Sequence, residues 1–283
     1  MSYLDRIATC RRWDPAAYRP FTVDGQTLGR VSHGVAQRLA GFPDVFVVRD
    51  DSVALAPGLD DFTSRSRAVA EVLGEMKARG EIPHWRGEDY PVQLRWGEAP
   101  ALKIERAASA LLGTRRFGVS MNGLVRGDGG LKMWVATRAA TKQTEPGKLD
   151  HLVAGGQPFG LGLRENLVKE SWEEAGIPAD LAARATPVGA VSFRCERPDG
   201  LIDEVVFCYD LDLPADFTPA NTDGEVESFS LWPIEEVLAR VRDTEDFGFD
   251  VPLVIIDCAI RHGLIAPGDP DYQEIWEGLR MAE

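Results

Sequence analysis

Glu170, Glu173 and Glu174 stand at i, i+3 and i+4 in the segment GGQPFGLGLRENLVKESWEEAGI, residues 155–177. If Leu163 to Ala175 is helical, the three carboxylates share one face, with Asn166 four residues before Glu170 on the same side. Leu163, Leu167, Trp172 and Ala175 would supply the apolar face, and Gly176 a sharp end. Glu165 precedes Lys169 by four residues, the favourable order for a helical ion pair. The acids nevertheless crowd the C-terminal half, where the helix dipole disfavours negative charge. Like charges at i, i+4 add a penalty of about 0.2–0.5 kcal/mol per pair. Such local inconsistencies concentrate at functional sites. A hard divalent cation resolves this one, because Mg²⁺ takes oxygen ligands and keeps waters for a phosphate-bearing substrate. The plain alternative is a solvated acidic face. Gly155 and Gly156, just before the segment, permit close backbone approach and favour the first reading.

The rest of the chain must position that helix. With 283 residues, 44% hydrophobic and 27% charged, it falls in the range of folded globular proteins of one large or two modest domains. Up to residue 113 it reads as a small N-terminal α/β domain. TVDGQTLGRVS turns at Asp24-Gly25, DVFVVRD and SVALAP are short strands, and SRSRAVAEVLGEMKARG is a helix stopped by Gly80. ALKIERAASALLG reads as a second amphipathic helix closed by Gly113. Residues 114–283 form the second domain. FGVSMNGLV and LKMWVATRA are strands around the turn RGDGG, HLVAG is a short one, and ATPVGAVSFRCE, EVVFCYDLDL and VESFSLWP are further strands. PIEEVLARVR and VPLVIIDCAIRHG are closing helices. This order predicts an α/β (α+β) protein with a mixed sheet in an α/β/α sandwich.

Net charge is −14. That argues against nucleic acid or an anionic membrane as the main partner. No stretch reaches transmembrane length, and MSYLDRIATCRRWDP has no secretory apolar region. Four scattered cysteines predict free thiols in a reducing cytoplasm rather than disulfides or a zinc site. The expected partner is a small molecule, and the expected state a monomer or homodimer.

The segment resembles the Nudix box: an opening Gly155, an Arg-Glu pair of positions ending in Glu170, the Glu173-Glu174 pair, the closing Gly176 and the apolar Ile177. Leu161 stands where a loop glutamate is usual, Lys169 where an arginine is, and Ser171 where an apolar residue is. HWRGEDYPV, RFGVSMNGL, RAATKQTEPGKLDHLVAGG, NTDGEVESF and VIIDCAIRHG are similar to a narrower Nudix subfamily with a DUF4743-type N-terminal domain, akin to proteins associated with thiamine pyrophosphokinase. Within that resemblance, Ser120 and Leu124 replace the usual His and Tyr.

The resemblance implies a Nudix α/β/α sandwich and Mg²⁺- or Mn²⁺-dependent cleavage of a diphosphate. Thiamine diphosphate, or its oxidised or toxic analogues, would be cleaved to the monophosphate. Glu170, Glu173 and Glu174 would hold the metal, and Glu173, Glu174 or Glu225 would act on the attacking water. Glu225 is otherwise an exposed turn acid. Arg138, Lys142 and Lys148 could bind phosphate, with Gly155 and Gly156 admitting the substrate to the backbone. Trp134, Trp85 or Tyr90 could stack on a heteroaromatic ring. Rival readings are hydrolysis of ADP-ribose- or NADH-type compounds, and a non-catalytic Nudix-fold binding module.

Overall fold

The computed structural model describes residues 1–280. Helix α1 (Tyr3–Thr9) starts at Ser2, whose hydroxyl accepts from the Asp5 amide while the Asp5 carboxylate accepts from the Ser2 amide. Strands β1 (Tyr18–Val23) and β2 (Gln26–Ser32) form the expected hairpin. Asp24 and Gly25 both take positive φ there, as a tight two-residue turn demands. Helix α2 (His33–Leu39) leads to β3 (Phe46–Val48) and β4 (Val53–Leu55), and β4 joins β1 in parallel. Helix α3 (Phe62–Ala78) covers the four-stranded sheet β2-β1-β4-β3 with buried Val69, Val72, Leu73 and Met76.

The stretch expected as one helix, ALKIERAASALLG, is split. β5 (Asp89–Val92) pairs antiparallel with β6 (Leu102–Glu105), and only α4 (Ala108–Leu112) is helical. Leu102 and Ile104 sit opposite Val92 and Tyr90 and are buried. Alternating burial against a partner strand outweighs a helical spacing that the same apolar residues also satisfy.

The second sheet is built around β7 (Arg115–Gly127), buried without a break from Phe117 to Val125. Such a run marks a central strand covered on both faces. β8 (Gly130–Arg138), β9 (Leu149–Asp150), β10 (Val153–Gly156), helices α5 (Leu163–Ala175) and α6 (Ala179–Ala182), then β11 (Thr186–Arg197), β12 (Gly200–Asp212) and β13 (Val226–Pro233) follow. The order is β11-β12-β7-β8-β13, with β10 on β7 and β9 on β8. β12 and β7 are parallel and the other pairs antiparallel, so the sheet is mixed.

Side chains alternate between two cores. Val119, Met121 and Val153 meet Leu167 and Ala175 of α5 on one face. On the other, Phe193, Cys195 and Val206 meet α7 (Ile234–Asp243) and α8 (Val251–Arg261) through Val237, Leu253 and Ile256. The expected α/β/α sandwich follows. Helix α9 (Tyr272–Gly278) closes this second core together with α1: Ile7 and Cys10 are buried there with Ile275 and Leu279. Among the described residues no helix is long and apolar enough to cross a membrane.

Ile7 lies far in sequence from the core it completes. Ile7→Ala should lower unfolding stability by about 2–5 kcal/mol, measured by urea denaturation. A change below about 0.5 kcal/mol would contradict this packing.

Candidate active site

Helix α5 forms where its spacing predicts, with three corrections. Trp172 lies half a turn round from Leu163 at 100° per residue, and it is 55% exposed instead of packed. Ser171 takes the buried position, donating its hydroxyl to Leu167 O at 2.6 Å. Glu165 does not pair with Lys169; its carboxylate accepts from Gly162 N at the helix start. Gly176 ends the helix at φ 63°, where a Cβ would lie 2.7 Å from Ala220 O, so only glycine serves.

The three glutamates have different partners, and Glu170 and Glu174 reach the end of β10. Lys169 donates to Glu170 at 3.1 Å and to Glu173 at 2.7 Å. Burial opposes its charge, but the bond to Glu173 and the charge of Glu170 push the ammonium up to about 12. Glu174 accepts from Ala154 N at 2.7 Å, a backbone amide rather than a cation. Burial raises Glu174 well above the ordinary glutamate range, reinforced by the Asp150 and Glu170 charges, and burial raises Glu170 as well. A Cβ on Gly155 would stand 2.4 Å from Glu170 Cγ, and one on Gly156 would stand 1.6 Å from Tyr90 Oη. Close approach occurs at both glycines, and it is made by the protein's own Glu170 and Tyr90 side chains. Asn166, fully buried, donates to Gly156 O at 2.9 Å and fixes the strand end to the helix.

Gly155 and Gly156 also line a cavity of about 480 Å³, within the range of small-ligand sites. The N-terminal region contributes His84, Arg86, Tyr90 and Arg106 to its wall, and the second sheet contributes Arg116, Ser120, Arg138 and Asp150. Arg138 pairs with Asp150 at 2.5 Å. Burial works to raise Asp150, but the hydrogen bond and charge of His151, together with Arg138, hold it down at about 2. Asp250, at the start of α8, is pushed up to about 7 by burial and by the charges of Glu204 and Asp150.

The other predicted binding residues lie elsewhere. Lys142 pairs with Glu225, and this contact outweighs burial to lower the Glu225 carboxyl. Lys148 donates to Glu245 O. Trp134 packs into the core beneath α5, because its odd position on β8 turns it away from the cavity. Trp85 lies under Lys77, 4.5 Å from the ammonium. Of the aromatic candidates, Tyr90 reaches the cavity.

Residues 114–249 match the NUDIX domain, and residues 2–116 match a domain of unknown function, DUF4743. The chain is 42% identical over 285 residues to Nudix hydrolase 24, chloroplastic, of Arabidopsis thaliana, covering 99% of this chain and 78% of that protein. It is 39% identical to Nudix hydrolase 20, chloroplastic, of the same plant, covering 98% and 77%. The chain belongs to the Nudix hydrolase family. It is thus an enzyme of diphosphate hydrolysis. The solved structure of DR0079 from Deinococcus radiodurans aligns at 22% identity with a TM-score of 0.46, over 60% of this chain and 99% of that one.

The Nudix glutamates offer hard oxygen donors, which suits a divalent cation. The raised Glu170 and Glu174 show that their position disfavours bare negative charge, and a cation would relieve that. Their carboxylates do not converge as a trio. Among the described residues, the trio of acid, Cys or His ligand atoms lying within 4.8 Å of one another is Asp210, Cys258 and His262. That trio does not suit a metal. Asp210 is already held by Arg261 and by Asn122 at 2.9 Å, and burial pushes the Cys258 thiol up to about 12.

Sequence reasoning missed Arg86, Arg106, Arg116 and Asp250 as cavity residues. Each comes from a segment distant from the box, and no local spacing marks it.

Because folding raises the Glu174 pKa, charging it opposes folding. That penalty is absent below the unfolded value of about 4.3 and grows as pH rises above it. In EDTA, Glu174→Gln should therefore melt higher than wild type at pH 8, with the gap closing near pH 4. Wild type should gain stability from Mg²⁺ and the variant should gain much less. Equal melting temperatures at both pH values would contradict this account of the carboxylate.

Proposed function

We propose that this Nudix hydrolase cleaves the diphosphate linkage of a small organic diphosphate, with thiamine diphosphate or its oxidised or toxic analogues as substrate and the monophosphate as product. One observation carries the reading. Glu170 and Glu174 both meet the strand end Ala154-Gly155-Gly156, whose residues line the cavity, so acid cradle and substrate-sized space share a wall. We assign Glu170, Glu173 and Glu174 as holders of Mg²⁺ or Mn²⁺. When bound, such an ion neutralises phosphate charge and lowers the pKa of a coordinated water.

The chain's own groups then have separate tasks. Glu173, Glu174 or Glu225 accepts the proton of the attacking water as its oxygen bonds to phosphorus and the bond to the bridging oxygen breaks. Lys142, held on Glu225, keeps that carboxylate ionised and able to accept. We assign Asp150, kept ionised by His151 and Arg138, as the cavity-wall acid that would face a cationic ring. A thiazolium carries such a charge. The thiamine assignment is otherwise supported by the resemblance of HWRGEDYPV and the neighbouring stretches. The N-terminal unit, residues 1–113, covers the cleft. We place the enzyme in a reducing cytoplasm because its four cysteines are free. It acts as a monomer or homodimer on a small molecule, without nucleic acid or membrane.

The test is chromatographic detection of monophosphate products formed with Mg²⁺ from thiamine diphosphate, its oxo and oxy analogues, ADP-ribose and NADH. Preference for the thiamine compounds, lost in EDTA, is expected. Turnover of ADP-ribose or NADH instead would overturn the substrate and leave the chemistry. Glu173→Gln and Glu174→Gln should each reduce turnover on the order of a hundredfold or more with the circular dichroism unchanged. Wild-type rates in both would overturn the site.

A further inference from the structure

Three hydrogen-bond donors in the cavity wall have no protein partner among the described residues: Tyr90 Oη, Arg116 Nε and Ser120 Oγ. Tyr90 is 3% exposed and Ser120 is 1% exposed. Buried polar groups are nearly always satisfied, and each exception asks for an explanation. Three exceptions on residues that line one cavity point to a ligand that brings acceptors.

Their placement is not accidental. Arg116, Gly118 and Ser120 alternate with core-facing Phe117 and Val119 along β7, so they share one face of the sheet over about 13 Å. Gly118 is paired with Gly156 of β10, and Ser120 with Ala154. Two glycines side by side leave the sheet bare between the donors. Tyr90 stands on that bare strip, so close to Gly156 that no Cβ could fit beneath its hydroxyl. Its ring lies under the Arg106 guanidinium, 5.4 Å from the centroid. Arg106 in turn acts electrostatically on both Glu170 and Glu225.

The wall that carries Tyr90 is fixed. The Glu105 carboxylate accepts from Arg86 N at 2.8 Å and from Gly87 N at 3.0 Å. Arg106 pairs with Glu88 at 3.0 Å, and Arg116 with Glu204. The arginines are thus held in place by one set of contacts while Arg116 Nε is left without a protein partner. Burial raises the Tyr90 phenol, which therefore keeps its proton and donates. Donors with a guanidinium beside them suit phosphate oxygens.

We propose that Tyr90, Arg116 and Ser120 form a phosphate-oxygen pocket, and that the N-terminal domain, through Tyr90, is a part of the substrate site that sets binding. This rests on the reading of the cavity as the substrate space of the hydrolase. It does not rest on the roles given to the individual glutamates.

The test uses Tyr90→Phe and Ser120→Ala in the full chain. Each removes only a hydroxyl that no protein group uses, so a merely structural role leaves stability and ligand binding unchanged. The probe is inorganic pyrophosphate, titrated calorimetrically in EDTA. Kinetics with Mg²⁺ on the best substrate of the panel give KM and kcat separately. The expected result is a loss of pyrophosphate affinity of roughly tenfold or more in each variant, a matching rise in KM, and a melting temperature equal to or above wild type. Glu174→Gln should keep pyrophosphate binding while losing turnover, which separates the two readings. Wild-type affinity and KM in both hydroxyl variants, or no pyrophosphate binding by the wild type, would overturn the pocket. Retained turnover in both Glu173→Gln and Glu174→Gln would overturn the glutamate assignment alone.

Discussion

The structure depends on a strand end without side chains. Gly155 lets the Glu170 side chain lie against the backbone on one face of β10, and Gly156 admits the Tyr90 hydroxyl on the other. A methyl group at either position would collide, at 2.4 Å and 1.6 Å respectively. Asn166 locks the same strand end to α5 through Gly156 O, and Glu174 does so through Ala154 N. Helix, sheet and N-terminal domain are thereby brought to a common point. The distance between the acid cradle and the cavity wall is set by backbone thickness rather than by side-chain packing. Such contacts tolerate no drift, which is what a site that must align a diphosphate needs.

Charge is arranged locally against the global balance. The chain carries −14, yet Arg86, Arg106, Arg116 and Arg138 all face one cavity. Most of them are matched by a fixed carboxylate: Glu88, Glu204 and Asp150. The pairing holds each guanidinium in place and limits the desolvation that an unpaired buried charge would suffer. On the helix side the matching is incomplete. Lys169 serves Glu170 and Glu173, while Glu174 is left with a backbone amide. The same helix, read as structure alone, would be better served by a neutral residue at 174. The proposed metal-holding role gives its carboxylate a purpose.

Much of this was legible in the sequence. The helix over Leu163–Ala175, the glycines around it and the mixed sheet follow from spacing and turn chemistry. Trp172 was misassigned because an apolar residue near the seam of a short helix can be counted on either face, and Ser171 proved to be the buried one. Leu102–Glu105 was missed as a strand because four residues satisfy both periods, and only the partner β5 decides between them. The cavity wall was the least legible part. Arg106 and Arg116 gain their role from the approach of the N-terminal domain to β7, a long-range contact that leaves no local pattern. Trp134 and Lys148 fell out of the site because their strand and loop positions turn them elsewhere, although their residue types fit the chemistry.

The central claim is that the glutamates of α5 hold a divalent cation at the end of β10. Anomalous diffraction from crystals of the protein soaked in Mn²⁺ tests it most directly. The account predicts a manganese peak within about 2.5 Å of carboxylate oxygens from at least two of Glu170, Glu173 and Glu174, with Lys169 displaced. A peak at Asp210, Cys258 and His262 instead, or none at α5 under saturating Mn²⁺, would contradict it.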